Sequence, residues 1–381
     1  MKRSDLLLVA GEASGDLHGA RLLAALRRRR PDLTAFGLGS DELAAAGLDL
    51  VGDSREISVV GLVEVAGVFE RARELFDRIL VEVEKRRPRV AVLVDFPDFN
   101  LRLARHLAWA GIPIVYYVSP QIWAWRRGRV RTIAQTVSKM LVLFPFEVPF
   151  YRRHRVPVTH VGHPLVDEVP ELPQAWDGGA TTRPERFRVA LLPGSRKSEV
   201  RSMLPVMAES IRRLERELPV EATWIQAPSL PADELEKRLA DLGQSGRIVR
   251  EGRFEAIADS HLALCASGTA TLEVGLLRTP LVVLYRLSPV TYWAARMLVR
   301  VPNFSLVNLV LGRSAVPELL QRDAEPERIA AIAGGLLRDP ERLDAMHVEL
   351  GGVRARLGAP GASERAAEEV LEVLDRGGRA A

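Results

Sequence analysis

The chain alternates between short apolar runs and longer amphipathic stretches. Apolar runs at 6–10, 34–38, 90–94, 112–118, 140–144 and 158–161 have the length of buried strands. Between them, 17–30, 57–87 and 101–109 carry apolar residues at helical spacing. The alternation breaks at 166–186, where Pro170, Pro173, Gly178, Gly179 and Pro184 lie among acidic and small polar residues, so this stretch reads as a linker. It restarts at Val189, with further strand patterns near 222–226, 248–249, 262–265 and 281–284. From 325 to about 376 only helical pattern remains. Such β–α alternation predicts an α/β chain with two doubly wound parallel sheets. A cleft between the two halves would face the carboxyl ends of both.

Size and composition fit that reading. At 381 residues and 47% hydrophobic content, the chain supports two cores. Basic and acidic residues nearly balance, 53 against 49, which argues against a nucleic-acid partner. The run Arg27 to Arg30 ends a helical pattern just before Pro31, where positive charge suits a helix C-terminus, and it reads as a solvated face. The single cysteine, Cys265, sits in a strand pattern, can form no internal disulfide and is compatible with a reducing cytoplasm. The apolar run after Met1 is too short for a signal sequence, and no run is long enough to span a membrane.

Candidate chemistry falls on turns after strands, where open α/β sheets bind ligands. In Val189 to Glu199, a strand meets Pro193 and Gly194, and a helix pattern opens at Ser195. A helix start with a close-approaching glycine and the Arg196 guanidinium suits a phosphate. An ordinary βα turn with a solvated arginine is the alternative. Ser267, Gly268 and Thr269 form a similar turn that could cap a helix or hold phosphate oxygens. Glu273, one turn further on, could accept from a ribose or simply face solvent. Asp95 follows four apolar residues and is flanked by Phe96, Pro97 and Phe99, which would desolvate its carboxyl and raise its pKa toward a general base's range. Asp98 is read as a helix cap. His160 and His163 lack the cysteine or acidic neighbours of a zinc site, and His163 reads as a turn residue at the cleft. No Asp-x-Asp triplet occurs, so no metal is expected. The stretch 57–69, followed by Arg71, Arg73 and Arg78, and the segment 292–300 combine apolar surface with arginines; either is core or rests on an anionic membrane.

Several of these segments match, in order, a known family. They are Gly11-Glu12-Ala13-Ser14-Gly15-Asp16, Asp95-Phe96-Pro97-Asp98-Phe99-Asn100, the run from Tyr117 through Ser119, Gln121, Trp123 and Trp125 to Arg126, Phe144-Pro145-Phe146-Glu147, Gly162-His163, Leu191 to Arg196, and Ala266 to Glu273. From about residue 6 to about 375 the chain resembles lipid A disaccharide synthases, which are GT-B glycosyltransferases. The resemblance implies two Rossmann-like domains, 1–165 for the acyl-sugar acceptor and 187–345 for UDP-sugar. It further implies C-terminal helices, 346–381, crossing back to the first domain or to a partner subunit. The implied reaction is inverting transfer of 2,3-diacylglucosamine from UDP-2,3-diacylglucosamine to 2,3-diacylglucosamine 1-phosphate (lipid X), with no cofactor or metal. By motif position the catalytic aspartate falls on Asp95. UDP contacts fall on Ser195, Arg196, Thr269, Glu273 and Asn308, with Ser267 and Gly268 beside them; Arg196 would also stabilise the departing diphosphate. At Asn308 the match departs from the family, which has proline where Val307 stands. Glu12, Ser14, Ser119, Gln121, Trp123 and His163 would line the acceptor side. A cytoplasmic homodimer in peripheral contact with the inner membrane is also implied. Competing readings are another GT-B UDP-N-acetylglucosamine transferase, a UDP-sugar 2-epimerase, or a catalytically dead UDP-sugar sensor, which would be expected to lack Asp95 or Arg196.

Overall fold

The computed structural model describes residues 3–58, 65–123, 127–173, 184–244, 246–286 and 303–379. The chain divides into two compact units, Met1–Pro164 with Pro360–Ala381, and Leu165–Ala359.

The first unit holds a parallel sheet of β1 (Leu6–Ala10), β2 (Ala35–Gly39), β3 (Asp49–Asp53), β4 (Val90–Val94), β5 (Ile114–Tyr117), β6 (Lys139–Val142) and β7 (Val158–His160). Their order is β3-β2-β1-β4-β5-β6-β7. The pleat sorts the apolar runs into two layers. Leu6, Leu8 and Ala10 face one core, and Leu7 and Val9 face the other. Helices cover both faces, which is why the strands read as continuous apolar runs. β3 was not among the expected strands. Asp49, Gly52 and Asp53 interrupt its apolar pattern, and an edge strand with partly exposed residues tolerates that. The expected helix at 57–87 is present as Val65–Arg86, preceded by the short helix Arg55–Ser58.

The last helix, Ala362–Arg379, packs against Ala13–Arg29 and places Ala366, Ala367, Val370 and Leu374 in the core of this unit. Arg29 pairs with Glu368 at 2.5 Å and Arg30 with Asp375 at 2.5 Å, and Arg28 pairs with Glu364. The arginine run is thus a solvated face, as expected, and Arg28, Arg29 and Arg30 also pair with the last helix along it.

The second unit repeats the plan with β8 (Phe187–Leu192), β9 (Val220–Ile225), β10 (Arg247–Val249), β11 (Leu262–Ala266), β12 (Leu281–Tyr285) and β13 (Glu318–Leu320), in the order β10-β9-β8-β11-β12-β13. β13, with three residues at the sheet edge, is too short to show a pattern in sequence. The segment 346–381 is divided between the units. The helix Gly352–Leu357 belongs to the second, and the chain joins the first only from Pro360.

In each sheet the strand order reverses once. The chain adds β2 and β3 on one side of β1 and then places β4 on the other; β9, β10 and β11 do the same around β8. The turns after β1 and β4, and those after β8 and β11, therefore open at a switch point, where no crossover covers the strand ends.

Candidate active site

At the first switch point Asp95 and Phe96 both adopt left-handed backbone, φ 44° and 47°. Such a pair in non-glycine residues stores strain and needs outside support. Support comes from Asn100, five residues on, and from the neighbouring strand β5. The Asp95 carbonyl accepts from Asn100 Nδ2 at 2.8 Å and from the Tyr116 hydroxyl at 2.5 Å, and its N–H donates to the Tyr117 carbonyl at 3.0 Å. The Phe96 ring stacks on Phe99 and lies over Gly11, where a Cβ would come within 2.1 Å of it. Gly11 thus serves the Asp95 turn rather than its own. The Asp95 carboxyl is pushed up to about 6, chiefly by burial and then by the negative charge of Glu12.

The other expected residues of this unit separate into two groups. Glu12, Ser14 and Gln121 are exposed near these strand ends. Trp123 is partly buried, with its indole N–H donating to Glu147 Oε1 at 3.1 Å. Ser119 is buried and bonded to the Tyr151 hydroxyl at 2.7 Å, so it holds the loop rather than facing a ligand. His163 is buried beside the Phe144 ring, and burial pushes it down to about 3; it is a neutral core histidine, not an open turn residue. Asp98 is not a cap either. Phe96 occupies the N-cap of Pro97–Trp109, and Asp98 lies in the first turn, paired with Arg129, where a carboxylate complements the helix dipole. Asp16, in the first glycine motif, is buried and accepts from Ser40 N at 2.6 Å and Glu42 N at 3.0 Å, fixing the short helix Asp41–Ala45. Against the Asp95 turn lies a cavity of about 820 Å³ lined by Ile57, Phe76, Phe96 and Phe99 together with Arg73, Arg102 and Arg105.

At the second switch point, Gly194 (φ 121°) turns the chain and Arg196 becomes the N-cap of Lys197–Glu215. The helix starts two residues later than expected, and its leading donors are taken. Ser195 N and Arg196 N both donate to Glu199 Oε2, at 3.0 and 3.3 Å. The Arg196 guanidinium itself is exposed, 3.7 Å from Glu199 Oε1. Gly268 and Thr269 are exposed at the turn after β11, and Ser267 is tied by its N–H to Leu284 O at 2.8 Å. Glu273 is not a solvated glutamate. It is partly buried, burial pushes its pKa up, and Arg253 donates to it at 3.3 Å and opposes that shift. Arg253 had no motif to mark it; it follows the left-handed Gly252 at the start of Arg253–Ala258.

Asn308 is a correction. Its Nδ2 donates to Val316 O and Glu318 Oε1, and its Oδ1 accepts from Ala315 N and Val316 N. All four positions of the amide are filled within a fully buried site, so none remains for UDP. The run from Tyr117 to Arg126 and the 57–69 stretch are described only in part: Trp125, Arg126, Val59, Val63 and the segment 292–300 lie outside the described residues, as do the side chains of 58–69. No helix among the described residues is long and apolar enough to cross a membrane.

Two doubly wound parallel sheets with polar turns at their switch points define the GT-B class of nucleotide-sugar enzymes. The same fold occurs in the calicheamicin glycosyltransferase (17% identity, TM-score 0.59, 99% of each chain) and in the UDP-GlcNAc 2-epimerase of Neisseria meningitidis (12%, TM-score 0.59, 98% of this chain and 100% of that one). Within that class the chain belongs to the lipid-A-disaccharide synthetase family, whose model matches residues 6–365. It is 46% identical to the lipid-A-disaccharide synthase of Myxococcus xanthus over 98% of both chains.

Proposed function

We propose that the chain is a lipid A disaccharide synthase. It transfers 2,3-diacylglucosamine from UDP-2,3-diacylglucosamine to the 6-hydroxyl of 2,3-diacylglucosamine 1-phosphate, giving a β-1,6-linked disaccharide 1-phosphate and UDP. The observation that carries the reading is the Asp95 turn: a carboxyl poised at about 6 on a braced, strained turn at a switch point, in a chain of this family. Asp95 accepts the proton of the attacking hydroxyl. On the second unit, Ser195, Arg196, Gly268 and Thr269 face the diphosphate, and Glu273, held by Arg253, faces the ribose. Arg196 offsets the charge that develops on the departing UDP, which needs no metal. The aromatic cavity beside Phe96 receives an acyl chain, with Arg73, Arg102 and Arg105 toward its phosphorylated sugar. Peripheral contact with an anionic membrane surface and homodimerisation complete the reading.

The test is direct. Purified protein incubated with both substrates is expected to release UDP and a tetraacyl disaccharide 1-phosphate, read by mass spectrometry. An epimerised UDP-sugar, a lipid-linked glycan or no turnover would each replace this reading with one of its rivals.

A further inference from the structure

Asp98, Arg102 and Arg105 follow one another at intervals of four and three residues along the helix Pro97–Trp109, so they share one face of it. All three line the aromatic cavity beside Phe96. They also line a second, smaller pocket of about 210 Å³, whose other polar walls are Arg129 and Thr132. Thr132 belongs to the helix Val130–Thr136, which packs against Pro97–Trp109. The shared wall thus joins an apolar chamber to a small polar one. The polar one stands against the Asp95 turn. Asp98 is three residues from Asp95, and Asp98 and Arg129 both act on the Tyr116 hydroxyl that braces the Asp95 carbonyl.

Three guanidiniums and one carboxylate line the small pocket, a surplus of two positive charges. The carboxylate is committed, because Asp98 pairs with Arg129. That pair takes one N–H of Arg129 and fixes the group, and a guanidinium carries further N–H donors for an anion. Arg105 donates to the Thr132 hydroxyl at 3.1 Å, and among the described residues neither Arg102 nor Arg105 pairs with a carboxylate. Two arginines three apart on a helix repel each other, and an anion between them relieves the repulsion. A phosphomonoester is the anion of matching charge, about −1.5 to −2 at neutral pH, and its oxygens suit the planar fork of a guanidinium.

We propose that this pocket is the seat of the acceptor's 1-phosphate. Arg102, Arg105 and Arg129, with Thr132, hold the phosphomonoester. The 6-hydroxyl, at the opposite end of the sugar ring, is thereby turned toward Asp95, and sugars without the phosphate are disfavoured as acceptors. This rests on the reading of the chain as a transferase acting on such a sugar phosphate. A phosphatidic acid headgroup offers the same chemistry; the sugar phosphate is favoured because the seat adjoins both the Asp95 turn and the aromatic cavity.

The experiment uses the full chain as parent, Arg102→Gln, Arg105→Gln and Arg102→Lys. Each is assayed with two acceptors, 2,3-diacylglucosamine 1-phosphate and the same sugar without its phosphate, in neutral detergent free of phospholipid. Arg102 and Arg105 are exposed, so every form is expected to melt as the parent does. With the phosphorylated acceptor each glutamine variant is expected to lose about ten-fold in kcat/KM, chiefly through the acceptor's KM, as for one charge-assisted hydrogen bond. The KM for the UDP-sugar is expected to stay near the parent's. The parent is expected to use the dephosphorylated acceptor about ten-fold less well or worse. With that acceptor the substitutions are expected to make no difference, because the lost guanidinium has no partner there. Arg102→Lys keeps the charge without the fork and is expected to fall between the parent and Arg102→Gln. Equal losses with both acceptors, or a parent indifferent to the phosphate, overturn the proposal. So does a loss that appears only when phosphatidic acid vesicles are added, which gives these arginines to a lipid headgroup. A parent that forms no disaccharide from either acceptor removes the reading of the reaction, and the seat with it.

Discussion

Glu199 Oε2 lies 3.0 Å from the backbone nitrogen of Ser195, so the turn expected to receive a diphosphate already holds a carboxylate of its own chain. Gly194 permits the arrangement, since a Cβ there would come within 2.6 Å of the Glu199 Cβ. A diphosphate at this turn has to displace Glu199 or bind against its charge. Glu199→Gln is therefore expected to tighten UDP binding about five-fold, the size of one ~1 kcal/mol like-charge contact in water-like surroundings. The helix start should weaken slightly as its capping box loses charge. Arg196→Ala should act in the opposite direction. Calorimetric titration with UDP checks both, and weaker binding by Glu199→Gln would mean that the carboxylate organises the turn rather than competing for it.

Asp95→Asn preserves the shape of the braced turn and removes its proton acceptor. Turnover is expected to fall by about 10²–10⁴ with UDP affinity little changed. The acidic limb of the pH–rate profile, centred near pH 6 in the parent, should vanish. The same substitution should affect stability. A carboxyl with a raised folded-state pKa favours the fold when protonated, and that contribution is lost as pH rises through about 6. At pH 7 the Asn variant should then melt at a higher temperature than the parent. Asp98→Asn is the control, because it removes a first-turn charge and the Arg129 pair while leaving Asp95 in place; a folded but inactive Asp98→Asn beside an active Asp95→Asn would reverse the assignment.

Gly11→Ala tests the support beneath that turn. Its Cβ would meet the Phe96 ring at 2.1 Å, which the packed ring cannot absorb without moving. A loss of about 1–3 kcal/mol is expected, as for overpacking in a core. Because Phe96 adjoins Asp95, kcat should fall more than the UDP affinity does. Urea unfolding and steady-state kinetics on one preparation separate the two effects.

Asn308→Ala should act on stability. It removes two N–H donors and an oxygen that accepts twice, and leaves the Glu318 carboxylate, which also accepts from Ser305 N at 3.0 Å, with one bond fewer. The expected cost is about 1–3 kcal/mol, that of unsatisfied buried polar groups. A variant with parental melting temperature and lost UDP binding would restore Asn308 to the nucleotide site.

Much of the architecture is local information. Continuous apolar runs such as 6–10, 90–94 and 262–265, short and bounded by turn residues, read as strands covered on both faces, and the polar turns after them mark where a doubly wound sheet leaves its strand ends open. Asp95, set among Phe96, Pro97 and Phe99, showed its desolvation in the residues beside it. The edge strands β3 and β13 were not legible, because partial exposure and short length remove the pattern that marks a strand. Nor could local sequence say which polar side chains remain available to a ligand. That depends on partners brought together by the fold: Tyr116 under Asp95, Arg253 on Glu273, Glu318 on Asn308, and Trp123 on Glu147. A buried polar group must be satisfied by whatever donor or acceptor the sheet order sets beside it, and only the tertiary structure decides which one that is.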